Sequence, residues 1–463
     1  MSDSVESQAF LEQGPLLPLL PPKPLTRRLP PLPKRSRPAE LRPGWTCESF
    51  VVPAAYPRAY PGSSKPPKEP LHDPTDAKGG RLNPQQAWDE LIKPQVEGFT
   101  HPVQLDDKEE LERQEQLVLA VNRYRPPPNQ RKKGLTLVLS HANGFYKEVW
   151  ESMLATLLED LETSDCLPVE EIWALDCVNQ GDSAILNEDT LGGVFSWADH
   201  GRDILNFIIS YLDSSPSSSS SSSLPTLQPA SDIDSSLLKL DNLRTIEPGA
   251  SVPSQRRYRD RLIVGIGHSL GGGGTAFAAT ACPSLFSSII FVDPVLVAPQ
   301  DPTPSTQKLA TQALLRKQKW NTKEEALDGF KKKAFFRAWD EKMLEDYCTF
   351  GLRETKDGVA LKTTARSEAL TFADANVVAS SRANNRLATL PKSLPVHWLW
   401  ADDGRSVLPQ WNIDQIIKER VPHSTQSRVE GAGHLVVHEN PRLTAQRIGE
   451  VLKRNYSVTR PKL

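Results

Sequence analysis

The stretch "GIGHSLGGGG", residues 265–274, sets one serine between glycines placed two before and two after it. Gly267-His268-Ser269-Leu270-Gly271 is the pattern G-x-S-x-G. A serine used as a nucleophile must stand on a sharp turn with its Oγ proud of a sheet edge. Flanking glycines let the incoming strand and the outgoing helix pass close to one another. The residues before it, "RLIVGIG", read as a strand, and those after the glycines, "TAFAATACPSLF", as a helix. The helix N-terminus would then aim backbone N–H groups at a developing oxyanion. A dinucleotide fingerprint is excluded because Leu270 stands where the third glycine belongs. A Walker loop is excluded because no Gly-Lys-Ser/Thr follows.

A serine nucleophile needs a base and an acid, in the chain order Ser, Asp/Glu, His. Only His397, His423, His434 and His438 follow Ser269. His434, in "GAGHLVVHENP" between a short strand and the last helix, is the expected base. His438 is expected to support that loop and His397 to be packed within a strand. Two positions compete for the acid. Asp293 ends the strand "IIFVD" directly after the nucleophile's helix, and Asp403 follows the strand "VHWLWA". The late acid usually precedes a proline by four residues, but Arg405 has that place before Pro409, so Asp293 is favoured and Asp403 is the alternative. The oxyanion donors are expected to be the backbone N–H groups of Leu270 and of Asn143, in the loop "HANGF". Removing one such donor typically costs about 10²–10³ in rate. His141 would brace that loop.

The elements that must carry these residues alternate strand and helix. Strands are read at 116–126, 135–140, 170–177, 261–267, 287–294, 395–401 and 427–431. Helices are read at 148–162, 197–212, 409–420 and 440–455. Such alternation means an α/β fold, a mostly parallel central sheet with helices on both faces. The block 299–392 shows helical patterns and no strand, and reads as a lid. Trp320, Phe330, Phe335, Phe336 and Trp339 in it would form an apolar substrate wall or simply the lid's own core. The core is thus expected at 45–298 and 393–463.

Two low-complexity segments interrupt this order. Sixteen of the 40 prolines fall in the first 70 residues, so residues 1–44 read as a disordered, Pro/Arg-rich tail. Arg27, Pro30 and Pro33 in it fit the spacing of an SH3-type ligand. Ser217 to Ser223 are consecutive serines, and 213–257 reads as a surface insertion.

Charge is nearly balanced, at −2 over 463 residues, which leaves no electrostatic footprint for nucleic acid. Five cysteines without CxxC spacing suggest reduced thiols. No apolar run reaches the roughly 18 residues of a membrane span. The chain ends Pro461-Lys462-Leu463, close to the Ser-Lys-Leu peroxisomal import signal but with proline first.

Taken together, "LSHANGFYKEVWE", "NQGDSA", "WADHGRDIL", "GIGHSLGG", "FVDPVL" and "GAGHLVVHENP" resemble the α/β-hydrolase superfamily. Within it they are similar to fungal peroxisomal hydrolases linked to toxin biosynthesis and to peroxisomal lipases. "TCESFVVPAAYPRAYPG" matches that branch too, and its "GRS" run where a late acid would sit agrees with the acid at Asp293. The resemblance implies a serine esterase or lipase acting on a small ester or acyl substrate, with an acyl-CoA thioesterase as the alternative. It implies no metal or cofactor, and import through a receptor that reads residues 461–463. The reading outside catalysis is a hydrolase-fold scaffold presenting its proline-rich tail.

Overall fold

The computed structural model describes residues 16–33, 35, 39, 41–64, 83–98, 101–213, 225–230, 233, 235–240, 258–297, 306–375, 379–402, 404–418 and 423–458. Its strands are β1 (Thr46–Pro53), β2 (Val118–Arg125), β3 (Leu135–Ser140), β4 (Val169–Leu175), β5 (Leu262–His268) and β6 (Ser288–Val292). Then come β7 (Lys319–Trp320), β8 (Leu352–Thr355), β9 (Gly358–Leu361), β10 (Val396–Ala401) and β11 (Ser424–Val429). Eight of them form one sheet in the order β1-β2-β4-β3-β5-β6-β10-β11. The six strands from β4 to β11 run parallel, while β1 and β2 pair antiparallel at one edge.

The strands are apolar on both faces because helices cover both. In β3, Val138 enters one core while Leu137 and Leu139 enter the other. Ile289 and Phe291 of β6 are likewise separated from Ile290 and Val292, the two-residue period of a strand buried on both sides. Helix α1 (Glu151–Glu162) contributes Met153, Leu154, Leu157 and Leu161 to the second core. Helices α2 (Trp197–Asn206) and α3 (Leu270–Ala281) pack together on the opposite face.

The block expected as an all-helical lid holds α4 (Thr306–Leu314), α5 (Lys323–Lys331), α6 (Glu341–Phe350) and α7 (Ala365–Ala375). It also contains an antiparallel sheet, β7-β9-β8, which corrects the helical reading. Thr355 pairs with Gly358, so Lys356 and Asp357 form a two-residue turn. The alternation in "LRETKDGVAL" carries that hairpin. Helices α8 (Gln410–Lys418) and α9 (Pro441–Tyr456) complete the fold, α9 packing on α1.

The proline-rich segment is corrected as well: from Leu16 on it lies against the domain. Leu16 and Leu19 are buried in the main core, and Leu25, Leu29 and Leu32 cover Val51, Val118 and Ala120 of the edge strands. Proline supplies an extended backbone without internal hydrogen bonds, and the leucines between the prolines give it something to bury. Arg27, the cation of the SH3-type match, donates to the Leu186 carbonyl at 2.6 Å and to Asn187 Oδ1 at 3.0 Å. The expected surface insertion is also partly core, since Leu227, Leu237 and Leu240 are buried. Residues 1–15 and the serine run 217–223 lie outside the described residues.

Candidate active site

Ser269 closes β5 and caps α3 with φ 55° and ψ −114°. For a residue with a Cβ that conformation costs about 1–3 kcal/mol and persists only where neighbours enforce it. Here Ser269 N–H donates to Val292 O at 3.1 Å, and its carbonyl accepts from Gly273 N–H at 3.1 Å and Val295 N–H at 3.3 Å. The glycines are needed for space. A Cβ on Gly267 would stand 2.3 Å from Gly271 O, and one on Gly271 would stand 2.1 Å from Ser140 O. Helix α3 can therefore start directly against the ends of β3 and β5.

His434 joins the serine to an acid. Its Nε2 lies 2.9 Å from Ser269 Oγ and its Nδ1 lies 2.6 Å from Asp293 Oδ2. Asp293 is fully buried at the end of β6 with φ 35°. Its Oδ1 accepts from Ala401 N–H at 2.9 Å and its Oδ2 from Ser406 Oγ–H at 3.0 Å. With His434 they give both carboxylate oxygens hydrogen-bond partners in a buried place. Ser406 belongs to the "GRS" run, which supplies a hydroxyl to Asp293. Asp403 lies outside the described residues.

His268 is buried beneath this array, and its Nε2–H donates to the His434 carbonyl at 2.9 Å. Burial, with His434 beside it, holds the His268 ring down to about 3, so it is neutral at working pH. His438 stacks at 4.1 Å on Phe145 and 4.6 Å on Trp339, and burial pushes it well below the ordinary histidine range. Its ring also lies 6.1 Å from that of His268. His397 is buried on β10 between Thr425 and Ser427, away from the serine. His141 donates from Nδ1 to Ala142 O at 2.8 Å and accepts the Cys177 N–H on Nε2 at 3.3 Å. Burial lowers it to about 4, which fits that neutral tautomer.

Leu270 is the first residue of α3, so its N–H has no acceptor within the helix. The loop after β3 is tied to it through Gly271 N–H to His141 O at 3.1 Å. In that loop Gly144 N–H is engaged by Gln180 Oε1 and Phe145 N–H by Ala142 O. Asn143 N–H has no acceptor among the described residues. Both ends of the Asn143 side chain are held, Oδ1 by Gln180 at 2.7 Å and Nδ2 by the Glu368 carbonyl at 3.1 Å.

Ser269, His434 and Asn143 open onto a cavity of about 310 Å³. Val295, Val297, Phe336 and Phe372 make its wall apolar, and Leu309, Phe335 and Val407 line it while remaining exposed at 36 %, 58 % and 42 %. Of the five lid aromatics, Phe335 and Phe336 reach the cavity. Phe330 and Trp339 pack on Tyr347 and Trp320 packs on Phe330, while Trp339 also meets Phe145 and His438, so these three join the second core of the domain. Sequence reasoning missed Arg316, Tyr347 and Glu368, which also line it. Arg316 bonds Glu368 and donates to Tyr347 Oη at 2.8 Å. The three come from separate lid elements, and no motif links them. Among the described residues no cluster of three or more His, Cys, Asp or Glu is placed to hold a metal ion, and no helix is long and apolar enough to cross a membrane.

A strained serine on a strand–turn–helix, at the carboxyl edge of a parallel sheet, defines a class, and residues 137–447 match the alpha/beta hydrolase family. The chain belongs to that family. It is 29 % identical over 191 residues to "Peroxisomal membrane protein LPX1" of Saccharomyces cerevisiae, a match covering 40 % of this chain and 38 % of that protein. It is 26 % identical over 200 residues to "Type I acyl-CoA thioesterase mpaH" of Penicillium brevicompactum, covering 42 % and 34 %. These matches span little more than a third of either relative's length. The solved structure of the peroxisomal α/β-hydrolase Lpx1 from Saccharomyces cerevisiae superposes with a TM-score of 0.58 at 19 % identity, covering 91 % of this chain and 92 % of that one. That likeness establishes the shared fold.

Proposed function

We propose that the protein is a serine hydrolase cleaving a carboxylic ester of an apolar acyl group. The observation that carries this is His434, hydrogen-bonded to Ser269 Oγ on one side and Asp293 on the other, at the floor of an apolar cavity. In the resting tautomer Nδ1–H donates to Asp293 and Nε2 accepts the Ser269 hydroxyl proton. As Oγ bonds to the acyl carbon, that proton passes to Nε2, and the carbonyl oxygen becomes an anion bound by the Leu270 and Asn143 N–H groups. His434 then protonates the leaving group and the C–O bond to it breaks. Water repeats the sequence on the acyl-enzyme and releases the carboxylic acid. Asp293 holds the tautomer and stabilises the imidazolium.

A thioester reading has its own support. The Penicillium relative is named an acyl-CoA thioesterase, and Lys332 and Arg337 are exposed and flank in sequence Phe335, which lines the cavity. Purified protein should be assayed on p-nitrophenyl esters of increasing chain length and on the matching acyl-CoAs, with Ser269→Ala as control. Turnover of esters with kcat/KM rising with chain length supports the proposal. Turnover of acyl-CoAs alone moves the thioesterase reading ahead, and equal rates for wild type and Ser269→Ala defeat both. The scaffold reading loses its support where the tail packs on the domain. Peroxisomal location is part of the proposal. It rests on the location in the yeast relative's name. Residues 461–463 lie outside the described residues.

A further inference from the structure

The run "NQGDSA", residues 179–184, supplies no group to the reaction above, yet its Gln180 reaches the loop that carries Asn143. Gln180 follows β4 and precedes the short helix Gly181–Leu186. It is fully buried. Its backbone is held on both sides: the N–H donates to Cys177 O at 3.0 Å, and the carbonyl accepts from Ala184 N–H at 3.1 Å. The side chain therefore leaves from a fixed point.

That side chain has its amide matched at both ends. Oε1 accepts the Gly144 N–H at 2.9 Å. Nε2 donates to Asn143 Oδ1 at 2.7 Å and to Thr371 Oγ1 at 3.3 Å. Backbone groups fix which end is which. The Gly144 N–H can only donate, so it faces an oxygen. The Glu368 carbonyl can only accept, so Asn143 Nδ2 faces it and Asn143 Oδ1 is left for Gln180.

The grip falls on both sides of one peptide N–H. Asn143 is held by its side chain and Gly144 by its N–H, while the N–H of Asn143 has no acceptor among the described residues. Gly144 turns with φ 87°, and a Cβ on it would stand 3.2 Å from the Glu368 carboxylate, so the loop lies against α7. Helix α7 is itself pinned, its Thr371 carbonyl accepting the Trp197 indole N–H from α2 at 2.8 Å. An oxyanion donor is most effective when it is aimed before the charge develops, and this framework supplies the aim.

We propose that Gln180 is a positioning residue, which aims the Asn143 N–H at the oxyanion by clamping Asn143 and Gly144 together. The inference rests on the serine-hydrolase reading. Gln180 does not line the cavity, so substrate binding by the apolar wall is untouched by it. Its effect falls on the transition state, where the carbonyl oxygen carries its charge.

The test is turnover of a p-nitrophenyl ester or an acyl-CoA, whichever the wild type cleaves, by wild type, Ser269→Ala, Gln180→Met and Asn143→Ala, each beside a urea melt. Gln180→Met keeps the length of the side chain and loses the amide. Its kcat should fall about 10- to 100-fold while KM stays within about twofold. A trifluoromethyl ketone of the same acyl chain forms an oxyanion adduct on Ser269, and its Ki should rise by about the factor lost in kcat. Asn143→Ala removes the other end of the clamp and keeps the backbone N–H, and its kcat should fall about 3- to 30-fold at unchanged KM. In a folded Gln180→Met, a kcat within about threefold of wild type, a loss carried by KM alone, or an unchanged ketone Ki would overturn the positioning role. If Gln180→Met does not fold, Asn143→Ala is judged by the same three measures. Turnover that is absent from the wild type, or retained in Ser269→Ala, would instead overturn the hydrolase reading and this inference with it.

Discussion

The residue before the candidate nucleophile holds the candidate base: His268 donates from Nε2 to the backbone carbonyl of His434 at 2.9 Å. One turn of chain thus fixes Ser269 through its backbone and His434 through its neighbour. His268→Phe keeps an aromatic ring, slightly larger, but leaves that carbonyl without its donor. Stability should fall by about 1–3 kcal/mol. If His434 then wanders, kcat drops while KM holds. Steady-state kinetics beside a urea melt separate the two effects, and an unchanged kcat would remove His268 from the positioning of the base.

Asp293 and Ser406 should differ in rank. Asp293→Asn preserves shape but favours the wrong His434 tautomer, and a loss of about 10⁴ in kcat is expected. Ser406→Ala removes one of three donors to the carboxylate, and the loss should be about tenfold or less. Comparable losses for both would mean that Asp293 acts in some way other than as the histidine's partner.

The elbow glycine should not tolerate a methyl group. Gly271→Ala places its Cβ 2.1 Å from a backbone oxygen of β3, which cannot swing away as a side chain could. Soluble yield and Tm should both fall. Gly404→Ala has open space around its Cβ but a φ of 67°, so its smaller cost, about 1 kcal/mol, serves as the comparison.

The buried histidines set the acid limit of the fold. His200 and His268 are lowered to about 3 and His141 to about 4, all by burial first. Below pH 6.5 the unfolded chain takes up protons that these rings refuse in the folded state. The stability present above that pH is therefore lost progressively as pH falls toward 4. Tm measured from pH 7.5 to 4.5 should decline most steeply below pH 6.5. A flat profile would mean that these rings are protonated in the fold.

Much of this was legible in the sequence because the chemistry is local. The elbow needs glycines at fixed offsets from Ser269, and a parallel sheet buried on both faces needs apolar runs such as "LTLVLS" and "SIIFV". What was missed depends on distant packing. Ser406 reaches Asp293 across 113 positions of chain. Glu368 and Arg316, 52 apart, meet because two lid helices converge. The proline-rich segment misled for a related reason: its composition describes a chain in solvent, and its leucines find burial only once β1 and β2 exist.

The central claim is that Ser269 is activated by His434. It is tested most directly by reaction of the purified wild type with a fluorophosphonate probe, followed by mass spectrometry of the peptide carrying residue 269, beside Ser269→Ala and His434→Ala. Rapid, single-site phosphonylation of Ser269 in wild type, with none in Ser269→Ala and a rate lower by at least about 10³ in His434→Ala, is the expected result. A well-folded wild type that does not react at Ser269, or reacts as fast without His434, would contradict it.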